Sequence, residues 1–192
     1  MLFVKLVTIK KLIIFLILFA GCWQFGSGSY IYAKAHLAQL LLNHAWSKTL
    51  RGGTQVKPWG WADTYPVAKI TFDNEDKQYI VLAGGSGRTM AFGPGHVSST
   101  PLPGNGGNSV IAGHRDTHFG VLQNLQLGDE IQVQVPKQHI HYKVVNTSIV
   151  NQSQTEIMHN SNVELLTLIT CYPFNALQAG GPLRYIVQAE RL

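Results

Sequence analysis

The sequence predicts a mainly β protein: a closed or nearly closed β-barrel of about eight strands with short helices, preceded by an N-terminal membrane helix and an amphipathic helix. Short strand-like runs follow one another between turns rich in glycine and proline, and no long helical pattern alternates with them. The N-terminus is instead one long apolar stretch. These observations divide the chain into a membrane segment at 1–33, a helix and linker at 34–62, and a barrel domain at 63–192.

Composition excludes several classes of protein. The 192 residues are 45% hydrophobic and 13% charged, which is typical of a folded chain. The net charge of +5 depends on three lysines among the first 33 residues, because the remainder carries 12 basic and 10 acidic residues without a basic cluster. No nucleic-acid partner is therefore expected. Two cysteines are too few for a disulfide framework or a four-cysteine zinc site.

The first element is a membrane segment. Lys5, Lys10 and Lys11 precede 22 residues without charge, 12–33, and a membrane helix needs roughly 20 mostly apolar residues. The lysines should stay in the cytoplasm, which predicts a single pass through the inner (cytoplasmic) membrane with the rest of the chain on the extracytoplasmic, or periplasmic, side. We favour a retained signal-anchor. A cleaved signal peptide and lipidation at Cys22, whose preceding residues resemble a lipobox, stay open.

The elements that follow lie between clear turn signals. Apolar residues at helical spacing, among them Leu37, Leu40 and Trp46, predict an amphipathic helix from Ala33 to Leu50, which the glycines after Arg51 end. A hairpin comes next, around the acidic turn at 73–76. The predicted strands are Val67–Phe72, Gln78–Ala83, Ser109–Ala112, Ile131–Val135, His141–Ile149, Glu164–Thr170 and Arg184–Glu190.

Three residues at strand ends form a candidate reactive site. Cys171 is the only cysteine beyond the membrane segment, and it closes an apolar strand. A thiol nucleophile needs a base or a positive partner, and His114 stands after a short strand and a glycine. Arg184 begins the strand that follows the cysteine, from where a guanidinium could stabilise an oxyanion. His118, four residues after His114, could complete a zinc pair, but no third ligand is evident, so neither a metal nor a cofactor is expected.

Together these residues resemble the sortases, cysteine transpeptidases of bacterial cell surfaces. The Thr-Leu-x-Thr-Cys signature is present at 167–171, with His114 before it and Arg184 after it, and the resemblance extends from about residue 33 to the end. The finer pattern resembles the sortase class of Gram-negative, marine proteobacterial species. The segments that carry it are Lys34–Gln39, Pro58–Asp63, Gly113–Phe119 and Thr170–Phe174.

The resemblance implies a mechanism and a partner. Cys171 would attack the Thr–Gly bond of a Leu-Pro-x-Thr-Gly-like signal, His114 would transfer protons, Arg184 would hold the oxyanion, and Thr170 would orient the site. Loops around 93–107 and 172–183 would form the groove and gate. The partner would be a secreted or membrane-held protein with this signal near its C-terminus, and the resemblance does not supply the amine acceptor. The alternative is a non-catalytic, membrane-tethered extracytoplasmic binding module with a buried structural cysteine.

Overall fold

A computed structural model describes the backbone of residues 2–178 and 180–192, and the side chains from residue 10 onward within those ranges. The chain divides into two compact units, Met1–Leu40 and Leu41–Leu192. Helix α1 spans Leu2–Leu50. The eight strands of the second unit are β1 Pro66–Phe72, β2 Lys77–Ala83, β3 Gly95–His96, β4 Asn108–Ala112, β5 Glu130–Val135, β6 Gln138–Asn151, β7 Leu165–Tyr172 and β8 Leu183–Arg191.

The apolar part of α1 is exposed along its length. Large side chains from Leu12 to Phe19 are each at least half exposed, and the most apolar window has a mean hydropathy of 1.7. Of the helices the structure describes, this one alone is long and apolar enough to cross a membrane. The sequence predicts a separate helix beginning at Ala33, but α1 continues through residues 26–29 without a break. Glycine and serine weaken a helix without ending it, and the Ser27 hydroxyl bonds to the Gln24 carbonyl within the helix.

The end of α1 belongs to the barrel unit and contributes a small second core. Leu42 and Trp46 pack against Ile80 and Leu82 of β2. The apolar stripe predicted from sequence is partly wrong, because Leu37 and Leu40 are more than half exposed while Leu42 is buried. The predicted end of the helix is confirmed. Gly52 has a φ of +99°, and the amides of residues 52 and 53 bond back to the last turn.

The strands close into a barrel in the order β1-β2-β3-β4-β7-β8-β6-β5. The predicted mainly β fold of about eight strands is therefore confirmed, including the β1–β2 hairpin. Neighbours are antiparallel except β2–β3 and β4–β7, which are parallel. In β1 every second side chain is buried, the alternation expected of a strand with one face on a core. The barrel interior is filled by apolar side chains of β1, β5, β6, β7 and β8 and by the 3-10 helix Phe119–Asn124.

Two short elements escaped the sequence analysis. Strand β3 and helix α2, Gly87–Met90, lie in a stretch whose glycines and prolines predicted only loop. Strand β3 has two residues, too few to show a period, and it exists because it joins β2 on one side to β4 on the other. In the barrel, strand β7 lies between β4, which is parallel to it, and β8, which is antiparallel to it.

Candidate active site

The Cys171 thiol lies on the outer face of the barrel near the end of β7. Leu166, Leu168 and Thr170 of this strand are buried, whereas Ile169 and Cys171 are partly exposed, as alternation along a strand requires. The strand continues to Tyr172, one residue beyond the cysteine that the sequence places at its end. Cys171 is a free cysteine and only partly buried, so it does not fit the fully buried structural cysteine of the alternative reading.

His114 is brought beside Cys171 by the parallel pairing of β4 and β7. Ala112 pairs with Ile169, and the Gly113 amide extends the ladder by donating to the Ile169 carbonyl over 3.0 Å. His114 and Cys171 each lie two residues beyond the paired Ala112 and Ile169. Adjacent strands are about 4.8 Å apart, so the turn that carries His114 leaves β4 at the same edge of the sheet at which Cys171 lies on β7. His114 itself is exposed.

Thr170 fixes the backbone just before the histidine. Its hydroxyl is buried and donates to the Gly113 carbonyl over 2.8 Å, across the two strands. Gly113 leaves room for the buried ring of Phe119. A Cβ at position 113 would lie 2.7 Å from that ring, which is too close. The Phe119 amide donates to the His114 carbonyl over 2.9 Å, which closes the turn that carries the histidine. These contacts support the predicted orienting role of Thr170.

Arg184 lies on β8, the other neighbour of β7, opposite Cys171. The two residues are paired in the antiparallel register of β7 and β8. The Arg184 guanidinium donates from Nη1 to the carbonyls of Gly181 (2.7 Å) and Leu183 (2.8 Å), and from Nη2 to Gln152 Oε1 (2.8 Å). Within the part of the chain that the structure describes, these bonds leave Nε–H and one Nη2–H for a substrate oxygen.

His118 has different surroundings from His114. It is half-buried, its ring meets the Tyr79 ring edge-on with centroids 5.4 Å apart, and Nδ1 lies 3.1 Å from the Thr117 hydroxyl. Burial lowers the pKa of His118, and the charge of His114 lowers it further. The His118 side chain is therefore a packed, neutral group at neutral pH, whereas His114 is open to solvent.

A groove of about 350 Å³ lies on the sheet near the end of β7, and Arg184 lines it whereas Cys171 and His114 do not. Its floor comes from four adjacent strands: Ala112 of β4, Ile169 of β7, Arg184 of β8, and Val150 and Asn151 of β6. Ile169 and Cys171 lie on the same face two residues apart, a separation of about 7 Å along a strand. Arg184, which lines the groove, is also paired with Cys171, so the thiol lies near the groove without lining it.

The wall of the groove was missed by the sequence analysis. It comes from the segment between β6 and β7, which contributes Gln152, Gln154, Thr155, Ile157 and Met158. The sequence assigned a groove to 93–107 and 172–183, but among the described residues of these segments only Val97 lines this one. The polar run at 151–155 reads as an ordinary surface loop, and the Ile157–Met158 pair was the one signal that could have identified it.

Comparison with known proteins decides the family. The model of the Sortase domain matches residues 70–192, which is most of the barrel unit. This chain belongs to the sortase family. The resemblance read from the cysteine signature, the histidine and the arginine is thus confirmed at the level of the family.

Relatives of this sortase agree in sequence and in fold. Sortase D of Bacillus subtilis is 32% identical over 113 residues, which are 58% of this chain and 57% of that protein. The chain thus matches a little over half the length of that relative. The structure of a sortase D5 transpeptidase from Clostridium perfringens gives a TM-score of 0.66 over 82% of this chain and 99% of that one, at 22% identity. Sortase C-1 of Actinomyces oris gives 0.60 over 66% and 72%, at 30% identity. The assignment to the Gram-negative class stays a prediction.

Proposed function

We propose that this sortase is a membrane-anchored cysteine transpeptidase. It cleaves a Leu-Pro-x-Thr-Gly-like signal between Thr and Gly and transfers the new acyl group to an amine. The observation that carries the proposal is the register of β7, because one strand places Cys171 beside the His114 turn on one side and beside Arg184 on the other. Acyl transfer through a thioester uses a nucleophile, a proton-transfer group and a cation, and these three residues are of those kinds.

The groove supports an extended peptide as the substrate. Its floor and wall are mostly apolar, with Ile169, Val150 and Met158 among the lining residues, which suits the Leu and Pro of the signal. Arg184 lines the groove and is paired with Cys171, so a peptide bound in the groove would have the carbonyl that follows its apolar residues near Cys171. The bond between Thr and Gly is at that position of the signal.

The reaction proceeds in two acyl transfers. The Cys171 thiolate attacks the threonine carbonyl and forms a tetrahedral intermediate, whose oxyanion accepts a hydrogen bond from the unused N–H groups of Arg184. His114 gives a proton to the leaving glycine amine, the C–N bond breaks, and a thioacyl enzyme remains. An incoming amine then attacks the thioester and passes its proton to His114. The new amide leaves, and Cys171 regains the thiolate.

A peptide experiment tests the proposal as a whole. A Leu-Pro-x-Thr-Gly peptide incubated with the full chain in detergent should be cut between Thr and Gly, and mass spectrometry should detect a thioacyl adduct on Cys171. An added amine should speed release of the adduct and appear in the product. The same peptide with the threonine replaced by a D-residue is the control. Cutting elsewhere, or cutting without any adduct, would contradict the proposal.

Arg184→Lys tests the oxyanion role. Lysine keeps the charge but lacks the planar fork that makes the three bonds to Gly181, Leu183 and Gln152 while still presenting an N–H to substrate. Turnover should fall by at least about 100-fold, the scale of losing one oxyanion donor. Arg191→Lys is the matched control. Arg191 is on β8, as Arg184 is, but it pairs with Glu164 and does not line the groove. Near-normal kcat in Arg184→Lys would assign Arg184 a structural role instead.

The N-terminal helix is proposed to be a retained, single-pass inner-membrane anchor, with the catalytic unit on the periplasmic side. The exposed apolar length of α1 and the lysines before it support this arrangement. Mass spectrometry of the mature protein should find the chain beginning before residue 12. A mature chain that begins at residue 27 or later, or that carries lipid on Cys22, would replace the anchor by a cleaved signal or a lipoprotein.

A further inference from the structure

Arg115, directly after His114, is a charged residue in an almost fully buried position. The residue is 5% exposed, and burying a guanidinium is costly unless its N–H groups are bonded. Four of its five N–H groups are. Nε and Nη2 donate to the two carboxylate oxygens of Asp116 over 2.6 and 3.0 Å. Nη1 donates to the Pro173 carbonyl over 2.7 Å, and Nη2 to the Ala176 carbonyl over 3.0 Å.

These bonds join two loops that carry the reactive groups. Arg115 and Asp116 belong to the turn after β4, which holds His114, whereas Pro173 and Ala176 belong to the loop that leaves β7 just after Cys171. The Asp116 carboxylate is 63% exposed, so its charge faces water while the guanidinium faces the loop carbonyls. The pair is formally neutral, and its main effect is therefore to fix the separation of the two loops.

Residues 173–176 of the loop after Cys171 have few other contacts. Phe174 packs edge-on against Tyr185, with centroids 5.2 Å apart, and against Tyr172 at 6.1 Å. Leu177 and Gln178 are exposed, and Leu177 is fully so. The guanidinium therefore bonds the loop at the point where packing against the barrel ends. Without these bonds, the packing of Phe174 would be left to hold residues 173–176 near the thiol.

We propose that Arg115 is a positioning residue for the transpeptidation, which clamps the loop after Cys171 to the turn that carries His114. The proposal rests on the proposed function for its kinetic consequence, but the clamp itself is defined by the four hydrogen bonds. Lysine cannot replace the clamp, since one ammonium on a flexible stem cannot bind a carboxylate through two atoms and reach two carbonyls as well. A misplacement of the reacting groups by about 1 Å costs on the order of 100-fold in rate.

The electrostatics of the site agree with this placement. The hydrogen bond with Asp116 is the main cause that raises the pKa of Arg115, burial opposes it, and the charges of Asp116 and of an ionised Cys171 add to the increase. The guanidinium therefore lies close enough to Cys171 for the two groups to interact electrostatically.

The test compares Arg115→Lys with Arg191→Lys in the full chain. Arg191 also bonds a carboxylate, that of Glu164 over 2.9 Å, but it lies outside the groove and the two loops. For Arg115→Lys, kcat should fall by about 10-fold or more while KM changes little, the pattern of misplaced groups rather than a lost substrate contact. Hydrogen exchange should become faster at 174–178, and alkylation of Cys171 by iodoacetamide should slow several-fold. Arg191→Lys should change none of these.

Asp116→Asn is the second variant, for the case that Arg115→Lys fails to fold. It leaves the Arg115 guanidinium and its two bonds to loop carbonyls in place but removes the carboxylate charge that orients the guanidinium. The fall in kcat, the faster exchange and the slower alkylation should therefore recur with smaller changes. Hydrogen exchange and alkylation need no substrate. If the wild-type protein does not process the peptide, the proposed function fails while these two measurements still decide the clamp. The clamp is overturned if exchange at 174–178 is unchanged in both variants, or if KM rises while kcat stays constant.

Discussion

Cys171→Ala should abolish peptide cutting and adduct formation, and Cys171→Ser should leave only a trace of either. Alanine removes the nucleophile, and loss of a nucleophile costs about 10⁴-fold or more in comparable enzymes. Serine keeps a hydroxyl at the same place on β7, but a hydroxyl is far harder to ionise than a thiol, and the site has an imidazole and a guanidinium rather than a strong base. Peptide turnover and intact-protein mass measure both variants.

The control for this prediction is folding. Cys171 is partly exposed near the end of a strand, so neither replacement opens a cavity in the core, and both variants should keep the wild-type Tm to within a few degrees. Cys22→Ser is the matched thiol control, since the other cysteine lies on the exposed apolar helix. Cutting of the peptide by Cys171→Ala at the wild-type rate would reject the nucleophile and the mechanism with it.

The sequence predicted those parts of the fold that have their own local pattern. The apolar run of β7 was found to within two residues at either end, and the turn at 73–76 correctly marked the β1–β2 hairpin. Closure of the barrel followed from the number of short strands and the lack of long helices between them. The family resemblance then supplied the sequence order of cysteine, histidine and arginine. That these three lie side by side depends on strand register, which no local pattern contains.

Features that depend on distant partners could not be predicted. Arg115 beside Asp116 reads as a solvated ion pair, and its burial comes from carbonyls 58 and 61 residues further along the chain. The same reason explains why the wall at 151–158 was missed, because its polar residues gain a role only when the segment lies over β7. Helix α1 shows the opposite failure, since the sequence predicted a boundary between two helices at residue 33 where the structure has one continuous helix.

The geometry also explains why one strand can organise the whole site. Parallel pairing aligns the ends of β4 and β7 at one edge, and the Thr170 hydroxyl and the Gly113 amide bond the two strands on consecutive steps. Antiparallel pairing then places Arg184 opposite Cys171. The position of each of these residues thus depends on backbone hydrogen bonds rather than on long side-chain networks. Substitutions that leave those ladders intact should therefore change chemistry without unfolding the barrel.

His114→Ala should block turnover, whereas His118→Ala should be much milder. Proton transfer by a positioned side chain contributes about 10²–10⁴-fold, and His114 is the histidine on the turn beside the thiol. His118 lies four residues further on, against Tyr79, and burial lowers its pKa so that it stays neutral. Its loss should appear mainly as a small fall in Tm, because an edge-on ring contact is removed. The two variants thus form a matched pair in one turn.

The measurement that separates them is turnover with and without an added amine. In His114→Ala both formation and release of the thioacyl adduct should slow, because the leaving amine lacks a proton donor and the incoming amine lacks an acceptor. In His118→Ala both steps should stay within a few-fold of wild type, and raising the amine concentration should speed release as it does for the wild-type protein. Equal loss of activity in the two variants would mean that proton transfer is shared along the turn or that its fold, rather than His114, is what both replacements disturb. Thermal unfolding distinguishes these outcomes, since a disturbed turn would lower the Tm of both proteins alike.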